Sequence, residues 1–275
     1  MDNRFIGVFD SGIGGLTSVS CIMDMFPNER ILFFGDTART PYGSKAPETI
    51  RRFTLQIGDF MKNKNVKMMV AACNTISSVS LDVLSDKYPG IPVIGTIEPT
   101  AHVVAKKCDP GEHIGILATK TTVATEMYPK SIKELKPDME NIYQKACPAF
   151  VPLIEEGIID NPIMDQTIRY YLDDFIRENE IDTLVLACTH YPLIAPNLKR
   201  IYPGIRLINS SKETAVAVGM ALEKYDMNAD ETQTHENTFY ASDLSENFVD
   251  MIDLILKDEQ DPGRIRFKNL DAISD

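Results

Sequence analysis

Short, uninterrupted apolar runs alternate with longer stretches of helical period along most of this chain. The runs at 5–9, 30–35, 67–72, 91–95, 113–118, 141–145, 182–187 and 205–209 predict strands. They are apolar throughout rather than at every second position, which predicts strands covered on both faces of a parallel sheet. The stretches 47–63, 75–86, 121–135, 164–178 and 211–224 predict helices between them, the alternation of an α/β fold. The tail adds a strand at 237–241, an amphipathic helix at 244–256, and a charged stretch, 257–268, read as solvated surface and a final strand.

The pattern also echoes itself. RFIGVFDSGIGG, near residue 10, matches EHIGILATKTTV, near residue 118, in place and pattern. KMMVAACNT (67–75) matches DTLVLACTH (182–190), and IPVIGTIEPT (91–100) matches IRLINSSKET (205–214). Three echoes in the same order and at similar spacing predict two related α/β halves.

Composition narrows the partners. The 275 residues carry 28 Lys+Arg against 40 Asp+Glu, a formal net charge of −12. That balance argues against a phosphate-neutralising nucleic-acid face and against a polybasic membrane anchor. No apolar run approaches the roughly 18 residues of a spanning helix, and the start lacks the long apolar stretch of a signal peptide. A cytoplasmic protein is expected. The five cysteines, Cys21, Cys73, Cys108, Cys147 and Cys188, form no C-x-x-C pair, so free thiols are expected rather than a disulfide framework or zinc finger.

Two of those thiols stand apart. Cys73 and Cys188 each end a strand of the echo, before small polar residues and a helix; Pro192 suits the first turn of the second helix. Ligand sites of parallel sheets lie beyond the carboxyl ends of the strands, and a helix N-terminus there draws a thiol pKa from about 8.5 toward neutrality. Two thiols facing one crevice suit removal of an α-proton on one face of an amino acid and its return on the other. A cysteine hydrolase needs only one thiol, and a redox dithiol needs contact that separate halves do not provide. Cys21, Cys108 and Cys147 are read as structural.

Other motifs join the same rim. Asn74, Thr75, Thr189 and His190 supply hydrogen-bond groups beside the two thiols. DSGIGGLT (10–17) predicts a tight turn offering backbone N–H groups to an anion, with Asp10 placed to orient or deprotonate a neighbouring thiol. In GDTARTPYGSK (35–45), Tyr42 and Gly43 offer a hydroxyl and an N–H. Glu155 is a crevice candidate that spacing alone does not separate from Glu156. His102, His113 and His235 are read as structural or exposed, and no cluster has metal-ligand spacing.

At IGVFDSGIGGLT, FFGDTARTPYGSK, VAACNT, ACPAFVPLIEEG and LACTHYPL, the chain resembles the glutamate racemases of the cofactor-independent aspartate/glutamate racemase superfamily. The resemblance implies interconversion of L- and D-glutamate, with D-glutamate destined for peptidoglycan, and neither a cofactor nor a metal. It implies two pseudo-symmetric α/β domains with mostly parallel sheets, residues 1–97 with 210–275 and residues 98–209, and an active site in the crevice between them. Carried over by position, Cys73 deprotonates D-glutamate with help from Asp10, and Cys188 deprotonates L-glutamate with help from His190 and Glu155. Asp10, Ser11, Tyr42, Gly43, Asn74, Thr75, Thr189 and His190 match substrate-binding positions, joined by Thr119 and Thr121. A homodimer is implied as well. Ile76 departs from the family, which has a small residue there. Two other readings stay open: a racemase for a related substrate such as aspartate, and an anion-binding protein without turnover.

Overall fold

The computed structural model describes residues 1–230, 236–243, 246–256 and 265–267. Its strands are β1 (Ile6–Asp10), β2 (Ile31–Gly35), β3 (Met68–Ala71), β4 (Val93–Ile94), β5 (Ile114–Ala118), β6 (Ile142–Ala146), β7 (Thr183–Ala187), β8 (Arg206–Asn209), β9 (Thr238–Ala241) and β10 (Ile265–Phe267). They form two sheets, ordered β10-β9-β2-β1-β3-β4 and β6-β5-β7-β8. Every pairing is parallel.

The internal echo is a repeat of topology. The order β2-β1-β3-β4 reappears in the second sheet as β6-β5-β7-β8. Strands β1, β2 and β3 are buried throughout, as are β5 and β7. The edge strands β4 and β6 are only half-buried, so their apolar runs mark one covered face rather than two. The chain enters the second sheet through the helix Ile97–Lys107 and returns to the first through the helix Ser210–Lys224.

Local chemistry sets the helix limits. Pro47 opens the helix Pro47–Asn63, whose inner face carries Ile50, Ile57, Phe60 and Met61. Asn161 and Asn209 cap the helices Pro162–Glu178 and Ser210–Lys224, each side chain accepting from a backbone N–H two residues on, Ile163 at 2.9 Å and Ser211 at 3.0 Å. Two predicted helices are interrupted. The stretch 75–86 divides into Asn74–Val79 and Leu81–Lys87 at Ser80, and 121–135 divides into Lys120–Ala124 and Met127–Leu135 at Glu126, whose φ of 54° is left-handed. The final strand of the expected 257–268 stretch is β10; positions 257–264, 268 and His235 lie outside the described residues. The tail helix runs Glu246–Leu256.

One apolar cluster joins the sheets, with Ile6, Val8 and Phe33 from the first and Leu117, Leu184 and Leu186 from the second. Beneath the first sheet lies a buried ion pair. Lys67 Nζ donates to Glu29 Oε2 at 2.5 Å and to the carbonyls of Asp2 and Met227 at 2.8 and 2.6 Å. Glu29 Oε1 accepts from Ala229 N at 2.9 Å, so the pair fastens the chain start to the segment after the return helix. Removing one partner strands the other in the interior. Lys67→Met should therefore lower unfolding stability by about 3–5 kcal/mol, measured by urea denaturation.

Candidate active site

Both sheets direct their carboxyl edges at one cavity of about 190 Å³. Its wall includes Ser11, Tyr42, Gly43, Cys73, Asn74 and Thr75 from loops of the first sheet, with Thr119, Cys188, Thr189 and His190 from the second. The two thiols thus reach the same space from topologically equivalent strands, β3 and β7. Cys73 Sγ lies 3.4 Å from Ser11 Oγ, and Cys188 Sγ lies 3.9 Å from His190 Nδ1.

The surroundings of the two thiols differ. Asp10 ends β1, where the equivalent residue of β5 is Ala118; His190 follows Cys188 by two, where Thr75 follows Cys73. Asp10 is fully buried behind the wall. It accepts from Gly12 N at 2.9 Å and from Thr189 Oγ1 at 3.4 Å. Burial raises its pKa, against the opposing pull of the His190 charge. On the other side Glu155 Oε1 lies 3.0 Å from His190 Nε2, while Glu156 is exposed. Structure therefore separates the two acids that spacing left equal.

The thiol at Cys73 does not titrate near neutrality. Burial pushes it up to about 12 and the Asp10 charge pushes the same way, against hydrogen bonds from Ser11 and the Ile76 backbone. Ahead of it stands a helix of only six residues, Asn74–Val79, whose N-terminus does not overcome desolvation. Ile76 is wholly buried in an apolar cluster with Cys73 and Tyr42.

Burial alone would lower the pKa of His190, but hydrogen bonds and charge from Cys188 and Glu155 prevail and raise it to about 10. An imidazolium held this way lends stability in full below its unfolded value of 6.5 and loses it as pH climbs through about 10. Wild-type protein should therefore lose stability between pH 7 and 10, and His190→Asn should lose less, as urea midpoints at the two pH values would show.

Glycine makes the close approach possible. A Cβ on Gly14 would stand 2.4 Å from His190 Nδ1 and 2.5 Å from Thr189 Oγ1; one on Gly43 would stand 2.6 Å from Thr119 Cβ. The DSGIGG turn thus makes room for the opposite half, besides supplying the Gly12 N–H to Asp10.

Several side chains have partners within the protein. The Tyr42 hydroxyl donates to Asp36, which also accepts from Arg39 Nε at 2.7 Å and Ser242 Oγ at 2.8 Å. Thr121 lies outside the cavity wall, its hydroxyl donating to the carbonyls of Gly43 and Lys45 at 3.0 and 3.3 Å. Thr75, Thr119 and Thr122 form a hydroxyl cluster with separations of 3.0 to 3.4 Å.

Lys120, Val151, Pro152 and Tyr191, which sequence reasoning passed over, line the cavity, as does Cys147, which it read as structural. Cys147 packs its sulfur 3.8 Å from the Lys145 carbonyl, and burial pushes its thiol up. The Tyr191 hydroxyl donates to the carbonyls of Ala118 and Cys147 at 3.2 and 3.0 Å, fastening the ends of β5 and β6. Their signal was position, because Cys147, Val151, Pro152 and Tyr191 lie inside the motifs of Glu155 and Cys188, and Lys120 follows Thr119. Cys21 and Cys108 lie away from the cavity. Among the described residues no group of His, Cys, Asp and Glu is arranged to hold a metal ion, and no helix is long and apolar enough to cross a membrane.

Comparison with known proteins places this architecture. The profile of the Asp/Glu/Hydantoin racemase family matches residues 19–218. This chain belongs to that family. The glutamate racemase of Sulfurihydrogenibium sp. is 42% identical over 92% of this chain and 94% of its own length. The crystal structure of Francisella tularensis glutamate racemase in complex with D-glutamate superposes with a TM-score of 0.91, at 34% identity, covering 99% of this chain and 100% of that one. Escherichia coli glutamate racemase in complex with L-glutamate and the activator UDP-MurNAc-Ala gives 0.75 at 26% identity, covering 92% and 95%.

Proposed function

We propose that this protein is a glutamate racemase that moves the α-proton between Cys73 and Cys188, supplying D-glutamate for peptidoglycan. The observation that carries the proposal is the pair of thiols at equivalent strand ends on one cavity wall. The relatives' names and the enantiomers bound in the two crystal structures support glutamate as substrate.

In this mechanism Cys73 removes the proton from D-glutamate while Cys188 supplies one to the opposite face; L-glutamate reverses the roles. Burial makes Cys73 a poor acid in isolation and the Asp10 charge opposes its thiolate, so Asp10, whose own pKa burial raises, helps by taking up the thiol proton once substrate is positioned. Asp10 is the positioning acid behind Cys73. Glu155 orients His190, whose Nδ1 faces Cys188 and exchanges its proton there. Ser11, Thr75, Thr119, Thr189 and the Gly43 N–H offer donors to the substrate carboxylates, and the enclosed cavity strengthens each contact. The Tyr42 ring shapes that wall. No step in the scheme draws on a cofactor.

We take residues 1–97 with 210–275 as one domain and 98–209 as the other, in a cytoplasmic homodimer without nucleic-acid or membrane partners. The deciding experiment incubates the protein with each amino acid in deuterium oxide and follows the α-proton signal. Loss of that signal from both glutamate enantiomers is expected. Exchange of aspartate without glutamate would overturn the substrate, and no exchange at all would leave an anion-binding protein.

A further inference from the structure

Behind Cys73 lies a buried polar network that the two-thiol scheme does not use. Asn74 Oδ1 accepts from Thr96 Oγ1 at 3.0 Å and from Tyr128 OH at 2.5 Å. Asn74 Nδ2 donates to Ser210 Oγ at 3.3 Å, and Ser210 Oγ in turn donates to the Leu186 carbonyl at 2.7 Å. Thr96, Tyr128 and Ser210 are all fully buried. Thr96 and Ser210 stand at the starts of the two helices that carry the chain between sheets, and Tyr128 comes from the second half. Asn74 is the hub of all three.

The donors determine which way the amide faces. Ser210 spends its only proton on Leu186, so toward Asn74 it acts as an acceptor and requires an N–H there. The Thr96 and Tyr128 hydroxyls then both point at the amide oxygen. Burial raises the Tyr128 pKa, which keeps the phenol protonated and donating. An amide nitrogen carries two N–H groups, and one goes to Ser210. The second has no partner among the described residues, and Asn74 forms part of the cavity wall.

We infer that Tyr128 is a positioning residue for substrate binding: its hydroxyl, with that of Thr96, holds Asn74 so that the remaining amide N–H faces the substrate carboxylate. The inference rests on the glutamate racemase reading above. Loss of either hydroxyl leaves the amide free to rotate and to offer its oxygen to an anion, which weakens binding without touching either thiol.

The test is a cycle of Tyr128→Phe, Asn74→Ala and the double variant, with KM and kcat measured for both enantiomers. Tyr128→Phe should raise KM about three- to tenfold while kcat stays within about twofold. In the Asn74→Ala background the same substitution should raise KM no further, because both act through one amide. Thr96→Val, which removes the other hydroxyl, should reproduce the KM effect and guards against a poorly folding Tyr128→Phe protein. An unchanged KM with a lower melting temperature would make the network purely structural and overturn the inference, as would full additivity. Wild-type turnover of glutamate is the separate control: its absence would sink the activity reading instead.

Discussion

Cys73→Ala and Cys188→Ala should each lower glutamate racemisation by about a thousandfold, measured as the decay of optical activity from either pure enantiomer. Inversion needs a base on one face and an acid on the other, so either loss stops the complete reaction. The partial reaction distinguishes the two variants. With Cys188 gone, Cys73 still faces the α-proton of D-glutamate and returns a solvent proton to the same face. Its exchange in deuterium oxide should therefore be faster with D- than with L-glutamate. Cys73→Ala should invert that order. If both variants exchanged the same enantiomer faster, the assignment of thiols to faces would be wrong.

Gly14→Ala should cost about a hundredfold in kcat/KM although residue 14 carries no reacting group. The added carbon would stand 2.4 Å from His190 Nδ1 and 2.5 Å from Thr189 Oγ1, and both belong to the cavity wall. The ring or the turn must move, which breaks either the 3.0 Å contact to Glu155 or the 3.9 Å approach to Cys188. Gly111→Ala is the matched control, since its added carbon meets nothing within 4 Å. Equal activity in the two variants would show that the turn yields without disturbing His190.

Much of this was legible in the chain itself. Continuous apolar runs located β1, β2, β3, β5 and β7 because these central parallel strands bury both faces, while β4, β6 and β8 lie at sheet edges with one face less covered; the echo of VAACNT in VLACTH disclosed the repeat. Helix breaks were harder to see. Ser80 and Glu126 fit a helical period, and only backbone angles forced by packing reveal the interruption. The titration of Cys73 was misjudged because sequence displays the helix N-terminus ahead of it but not the desolvation around it. Asn74 read as a plain ligand donor, since Thr96, Tyr128 and Ser210 reach it from distant parts of the chain. Spacing left Glu155 and Glu156 equal; the resemblance favoured the first, and the Phe150–Glu155 helix brings that acid to His190.

The unequal surroundings of the two thiols meet a limit that no protein can alter. Enantiomers have identical free energies in water, so the equilibrium constant of racemisation is one, and kcat/KM must be the same for L- and D-glutamate. Asp10 opposite Ala118, and His190 opposite Thr75, can therefore favour neither direction overall. Their effect is confined to dividing that shared ratio, with tighter binding and slower turnover for one hand matched by looser binding and faster turnover for the other. A substitution on either side, however lopsided its position, moves both ratios together.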